Sequence, residues 1–189
     1  KKLEIKDFLG RDSSLKAQKD LNKEFTNSVV CISGGGGSIG SEISKQLIEF
    51  KPRKIILIER NEYALYTIEK QLNKINHEQI DIKYILGDAC SEKLLKKLFK
   101  DCKVDYFFHA SAYKHVPMVE KNPLQSIYNN VFSTNVICHT AKEAGLKKVI
   151  LISTDKAVRP TNVMGASKRV AEQIFQAYAE KIFNLDKNK

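Results

Sequence analysis

Apolar and polar residues follow one another along this chain in two rhythms. Short, nearly continuous apolar runs occur in SVVCIS (28–33), KIILIE (54–59), IKYIL (82–86), VDYFFHA (104–110) and KKVILIS (147–153). Such runs predict strands covered on both faces. Between them the apolar positions shift to helical spacing. Ile39, Ile43 and Leu47 lie four apart in SIGSEISKQLIEF, which predicts one helix face. EYALYTIEKQLNKI (62–75), SEKLLKKLF (91–99), a long stretch from Pro123 to Ala144, and Asn162 to Phe183 read as further helices. The segment between the fourth strand and Pro123 reads as a loop. Gly145 follows Ala144 in the C-cap role that glycine fills without steric penalty.

Strands alternating with helices predict an α/β fold, a doubly wound parallel sheet of the Rossmann kind. The right-handed crossover rule and the glycine turn after the first strand suggest the order 3-2-1-4-5. The ligand crevice then lies above the carboxyl ends of strands one and four. Residues 1–27 are polar apart from Leu3, Ile5, Phe8 and Leu9, and read as a lead-in segment or linker; residues 28–189 form the dinucleotide-binding domain. No internal repeat or low-complexity tract competes with this division.

Composition narrows the function classes. A length of 189 residues with 42% hydrophobic content suits one buried core. No apolar run approaches the roughly 20 residues of a membrane span, and no signal-peptide pattern opens the chain. Its first residue is Lys1 rather than Met, which reads as a piece of a longer polypeptide. Cys31, Cys90, Cys102 and Cys138 are far apart, as are the four histidines. No metal site is expected, and a reducing cytoplasm is the simpler location. The net charge of +10 comes from lysines interleaved with Glu and Asp, a solvated-surface pattern that does not call for nucleic acid. A basic surface also suits a diphosphate-bearing substrate or an anionic membrane face.

The turn after the first strand, SGGGGSIG, holds Gly34, Gly37 and Gly40 in the spacing Gly-x-x-Gly-x-x-Gly. Between a strand and a helix these glycines permit a tight turn and close backbone approach to a pyrophosphate. The helix start at Ser38 and Ile39 offers free N–H groups to the phosphates. Glu59 ends the second strand, where a carboxylate takes a ribose hydroxyl, which favours NAD; Arg60 beside it would pair with a 2'-phosphate, so NADP stays open. Asp88, followed by Ala89, is placed either to accept from the adenine amino group or to cap the next helix. Ala110, Ser111 and Ala112 are small enough for a dinucleotide to lie against their backbone, with Lys114 and His115 near the mouth.

STDKAVRP follows the fifth strand. Thr154 offers a hydroxyl, Asp155 a proton-transferring carboxyl and Lys156 an amine, while Lys168 on the next helix would reach the nicotinamide ribose. The same residues also read as a polar strand-to-loop transition and a surface lysine.

SGGGGSIGSEI, HASAYKHVPMVEKNP, NNVFSTNV and LISTDKAVRPTNVMGASKRVAEQ together carry a resemblance. They closely resemble the extended short-chain dehydrogenase/reductases of bacterial polysaccharide biosynthesis. Within these, they are similar to the UDP-N-acetylglucosamine 4,6-dehydratases of the long, membrane-anchored type. The likeness runs from Glu4 to Phe183. It covers Met164, which stands four residues before Lys168 where Tyr-x-x-x-Lys is usual; Met-x-x-x-Lys is characteristic of that subgroup. The glycine loop departs mildly, with Ser33-Gly34-Gly35 where relatives usually have Thr-Gly-Ala.

The resemblance implies a reaction and a division of labour. NAD+ takes hydride from sugar C4, the ketone acidifies the C5 proton, water leaves from C6 and hydride returns to C6, giving a 4-keto-6-deoxy sugar. Asp155 would protonate the departing hydroxyl, Lys156 would remove the C5 proton, Thr154 would hold the C4 oxygen and Lys168 the nicotinamide ribose. Met164 has no exchangeable proton, so its neighbours must do the acid-base work. The resemblance further implies a UDP-sugar partner, a homo-oligomer and a cytoplasmic site at the inner membrane face of the longer protein. The C-terminal sugar-binding portion and the preceding membrane helices are absent from this stretch, so the chain alone is expected to bind cofactor with little or no turnover and to need no membrane contact. Two competing readings share the glycine loop. A UDP-sugar C4 epimerase normally relies on the Tyr that Met164 replaces, and a non-catalytic nucleotide-binding module would have no use for an Asp-Lys pair.

Overall fold

The structure, a computed structural model, describes residues 15–77 and 79–187, with side chains for 20–77 and 79–180. Helix α1 (Leu15–Phe25) leads into strand β1 (Val29–Ser33), followed by α2 (Ser38–Glu49), β2 (Lys54–Glu59), α3 (Glu62–Ile75), β3 (Asp81–Leu86), α4 (Glu92–Cys102) and β4 (Tyr106–His109). Helices α5 (Val116–Lys121) and α6 (Pro123–Ser126), a π-helical turn at Ile127–Phe132, and α7 (Ser133–Ala144) fill the crossover to β5 (Lys148–Leu151). A single 3-10 turn, Asp155–Ala157, then precedes α8 (Val163–Lys187). The sheet order is β3-β2-β1-β4-β5 and every pairing is parallel, as expected.

Alternation along each strand divides the core between the two sheet faces. Val29, Cys31, Ile56, Ile58 and Phe107 point to one face, against Leu95, Leu98 and Phe99 of α4 and Val136, Ile137 and Ala141 of α7. Val30, Ile32, Ile55, Leu57 and Tyr106 point to the other, against Leu47 and Ile48 of α2 and Leu65, Ile68 and Leu72 of α3. Each fully buried side chain of this size contributes about 1.5–3 kcal/mol. The cover on both faces explains why all five residues of β1 are buried, whereas β3 and β5 at the sheet edges are more accessible.

Three expectations change. The segment before residue 28 is not simply a linker. Residues 1–14, with Leu3, Ile5, Phe8 and Leu9, lie outside the described residues, but α1 carries Phe25 into the core, its ring 5.1 Å from that of Tyr106. The stretch before Pro123 contains α5, opened by His115 as N-cap and stabilised by Pro117 in its first turn. Ile39 shares a helix face with Ile43 and Leu47 but is 51% exposed, at the cleft and not in the core. Gly145 caps α7 at φ +68° as expected. Among the described residues, no helix is long and apolar enough to cross a membrane.

Candidate functional site

β1 delivers the chain into the glycine loop at the carboxyl edge of the sheet. The loop is held from beneath by β2: Gly34 and Gly35 both donate to the Ile58 carbonyl, at 2.8 and 3.2 Å. Gly34 has φ +70°, and a Cβ on Gly40 would lie 2.2 Å from the Gly34 carbonyl oxygen, so the first turn of α2 can reach the loop only as glycine. Gly37 is the N-cap of α2 and supplies no side-chain cap. The first-turn N–H groups of a 12-residue helix are therefore left for another acceptor at the cleft.

Two cavities of about 310 and 380 Å³ flank this loop and share Gly37, Ala110, Ala112 and Tyr113 in their walls. They form one crevice over the ends of β1 and β4, where the topology reverses, and each is within the size range of small-molecule sites. The first half gathers Gly34, Glu59, Arg60, Asp88, Ala89 and Ser111. The second gathers Ser38, Ile39, Thr154, Lys156, Met164 and Lys168, with Lys114. Nearly all the residues singled out from the sequence thus line one groove.

In the first half, Glu59 is engaged within the chain itself. Its carboxylate accepts from the N–H groups of Gly36 (3.2 Å), Arg60 (3.0 Å) and Asn61 (3.0 Å), tying the glycine loop to the end of β2. The Arg60 guanidinium lies 4.5 Å from the Tyr113 ring centroid, reaching across the groove from β2 to the loop after β4. Asp88 is not the cap of the next helix: Ser91 caps α4, and Asp88 Oδ1 accepts from Cys90 N–H at 2.8 Å within the turn while the residue lines the groove.

In the second half, Met164 is buried at the start of α8, whose first turn is closed by Asn162 Oδ1 accepting from Gly165 N–H at 2.8 Å. A Cβ on Gly165 would stand 2.3 Å from the Lys156 carbonyl oxygen, so this glycine lets α8 pack directly on the Thr154–Lys156 turn. Lys168 is only 7% exposed, and its ammonium donates to the Ile152 carbonyl at 2.6 Å. Burial lowers its pKa, with Glu172 opposing the shift. Asp155 stands at the margin of the group: it is exposed and absent from the cleft lining, but its Oδ1 accepts from the Thr154 hydroxyl at 2.9 Å and lies 3.7 Å from the Lys156 ammonium. That hydrogen bond and the nearby Lys156 ammonium hold its carboxyl below the usual range.

Several residues of the site escaped the sequence. Asn130, inside the π-helical turn, accepts from Tyr113 N–H at 2.8 Å and donates to the Tyr113 carbonyl (3.1 Å) and the Ser167 hydroxyl (3.0 Å). It joins the loop after β4 to the helix that carries Met164 and Lys168. A signal existed: two adjacent asparagines within an apolar helical stretch need buried partners. His109, on β4, is fully buried among Ser33, Ser111 and Ser133. Burial, with Lys168 nearby, pushes its pKa down to about 3.

That depression has a direction in pH. The folded chain keeps His109 neutral, whereas the unfolded chain takes up a proton near its ordinary value of 6.5. The stability this burial permits is present above pH 6.5 and lost as pH falls toward 3. Between pH 7 and 5 the loss should be about 2 kcal/mol in urea unfolding. The lowered carboxylates Glu92 and Asp105 titrate below that window. A flat profile from pH 7 to 5 would contradict a neutral, buried His109.

Away from the crevice, Glu92, His139 and Glu143 bring three ligand atoms within 4.8 Å of one another. The Lys96 ammonium already lies 2.9 Å from Glu92 and 3.0 Å from Glu143, so the cluster is an ion-pair network on the surface.

The family described as polysaccharide biosynthesis protein matches residues 30–188. The capsular polysaccharide biosynthesis protein CapD of Staphylococcus aureus is 40% identical over 180 residues, which is 95% of this chain and 30% of that protein. The inverting UDP-N-acetylglucosamine 4,6-dehydratase of Campylobacter jejuni serotype O:2 is 35% identical over 154 residues, 81% of this chain and 44% of that protein. The solved structure of the UDP-Glc/GlcNAc 4-epimerase from Campylobacter jejuni shares the fold, with a TM-score of 0.69 and 24% identity over 82% of this chain and 50% of that one. The chain thus spans less than half the length of these two curated relatives.

Proposed function

Because the chain belongs to the polysaccharide biosynthesis protein family, we propose that its crevice binds NAD or NADP for an enzyme that oxidises C4 of a nucleotide-linked sugar and acts through the resulting ketone. The observation that carries this reading is the continuous groove from Asp88 to Lys168, with an uncapped helix N-terminus at its centre. A dinucleotide fits its construction: pyrophosphate at Gly37, adenosine toward Glu59 and Asp88, nicotinamide toward Thr154, Met164 and Lys168. When bound, the nicotinamide supplies reversible hydride transfer, leaving proton handling to the chain.

The finer reading is dehydration of a UDP-N-acetylhexosamine, UDP-N-acetylglucosamine first among them. Thr154 holds the C4 oxygen, Lys156 takes the C5 proton and Asp155 gives a proton to the departing C6 hydroxyl. Atoms balance as loss of one water, with no net oxidation. Support comes from Met164, which fills the place beside Lys168 with a thioether that can neither give nor take a proton. Asp155→Asn should lower turnover at least about 100-fold and leave dinucleotide affinity within about twofold. Undiminished turnover would remove Asp155 from the mechanism.

Epimerisation at C4 is a second reading, favoured by a specific observation. It needs no acid at C6, and the Asp155 carboxylate is exposed, outside the groove lining and held in its ionised form. Removal and return of hydride at C4 would call on Thr154, Lys156 and Lys168 alone.

We also propose that the protein is a homo-oligomer joined through the crossover. Leu124, Ile127, Tyr128 and Phe132 are all exposed there, and the rings of Tyr128 and Phe132 stack at 5.4 Å. Tyr128→Lys should shift the sedimenting species to monomer. An unaltered oligomer in that variant would place the contact elsewhere.

A further inference from the structure

The buried imidazole beneath the groove has a hydrogen-bond arrangement that can be worked out proton by proton. Ser33 and His109 are paired neighbours at the ends of β1 and β4. Ser133 begins α7 directly after the π-helical turn, and Ser111 lies two residues beyond His109. Ser133 has one hydroxyl proton, and it goes to the Asn129 carbonyl at 2.5 Å, a group that can only accept. The 3.2 Å contact between Ser133 Oγ and His109 Nε2 therefore requires the ring to donate from Nε2.

A neutral ring that donates from Nε2 must accept at Nδ1. Nδ1 faces Ser33 Oγ at 2.8 Å and Ser111 Oγ at 3.2 Å, and those two hydroxyls lie 3.1 Å apart. Two arrangements use both contacts. Either Ser33 donates to Nδ1 and Ser111 to Ser33, as the shorter distance favours, or Ser111 donates to Nδ1 and Ser33 to Ser111. Both turn the Ser111 proton inward. Ser111 lines the adenosine half of the groove beside Glu59 and Asp88, so its lone pairs are what the groove receives.

We propose that His109 is a positioning residue that fixes Ser111 as a hydrogen-bond acceptor toward the groove, selecting a ligand donor such as a ribose hydroxyl. The inference rests on the dinucleotide reading above and adds the polarity of one contact within it. Polar groups facing the ring come from β1 (Ser33), the loop after β4 (Ser111) and α7 (Ser133); Lys168 is the charged group felt there. A protonated or Nδ1–H ring would reverse the chain and turn the Ser111 proton outward.

The test has two parts on one protein. With His77, His115 and His139 replaced by Gln, long-range nitrogen–proton NMR of the remaining imidazole should show a proton on Nε2 and a bare Nδ1, unchanged from pH 5.5 to 8. A protonated Nδ1, or a ring that titrates in that range, would overturn the inference. Binding of NAD and of analogues each lacking one ribose hydroxyl is then measured by calorimetry with and without Ser111→Ala. One analogue should bind the unaltered protein about 3- to 10-fold more weakly than NAD, and Ser111→Ala should erase that difference. Binding of every analogue unaffected by Ser111→Ala would overturn the inference alone. Failure of the unaltered protein to bind NAD or NADP would overturn the dinucleotide reading and this one with it.

Discussion

Replacing Lys168 by Met should lower turnover of the nucleotide sugar by about 100- to 1000-fold, the usual scale for losing one preorganised charged donor in a closed site. The fold should survive the change. Lys168 is nearly buried, and its ammonium makes a bond to the Ile152 carbonyl while its lowered pKa records the cost of desolvating the charge. Methionine is a similar length without that charge, so the melting temperature should hold or rise as activity falls. Equal loss of activity and stability would make Lys168 a structural residue. Unchanged activity would remove it from the site.

Gly40→Ala should abolish measurable dinucleotide binding, with affinity falling at least about 100-fold and stability by about 1–3 kcal/mol. The added methyl would lie 2.2 Å from the Gly34 carbonyl oxygen and 2.9 Å from its carbon. Both obstacles are backbone, so either α2 lifts from the sheet or the glycine loop leaves the groove. Gly145→Ala is the control. It stands at φ +68° with nothing within 4 Å of the added carbon, far from the groove at the end of α7. That change should cost about 1–2 kcal/mol and leave affinity alone. Isothermal titration with NAD, paired with urea unfolding, separates the two cases. Normal affinity in Gly40→Ala would show that the glycine loop does not hold the ligand.

The sheet was legible because its three inner strands, β2, β1 and β4, are apolar on both faces, and continuous apolar runs survive in any register. Strand order followed from the handedness of the crossovers and the position of the glycine turn. Two features beyond that were hidden. Helix α1 is held by Phe25, whose ring packs among Phe50, Tyr106 and Phe108, and by the Glu24–Lys148 ion pair, contacts that leave no periodic trace in a polar segment. The π-helical turn at Ile127–Phe132 keeps the apolar spacing of an ordinary helix while turning Asn129 and Asn130 inward. The groove itself was largely readable, since Gly34, Glu59, Asp88, Ser111, Thr154 and Lys168 are all at strand ends or helix starts. What held them was not. His109 lies inside a strand run, and its hydrogen bonds go to Ser33, Ser111 and Ser133, the first two of which are 78 positions apart in sequence. Asp155 is a different case: adjacency to Thr154 and Lys156 does bring the three side chains together, at 2.9 and 3.7 Å, but the sequence carried no sign that the carboxyl would face solvent.

Proton NMR of UDP-N-acetylglucosamine in D2O, with NAD or NADP and the protein at its full natural length, is the direct test of chemistry through a sugar ketone at C4. A new C6 methyl signal with deuterium at C5 is the expected result. Conversion to the C4 epimer without a methyl would replace dehydration by the second reading. Substrate recovered unchanged, with dinucleotide shown to be bound, would contradict ketone chemistry at C4 in this groove.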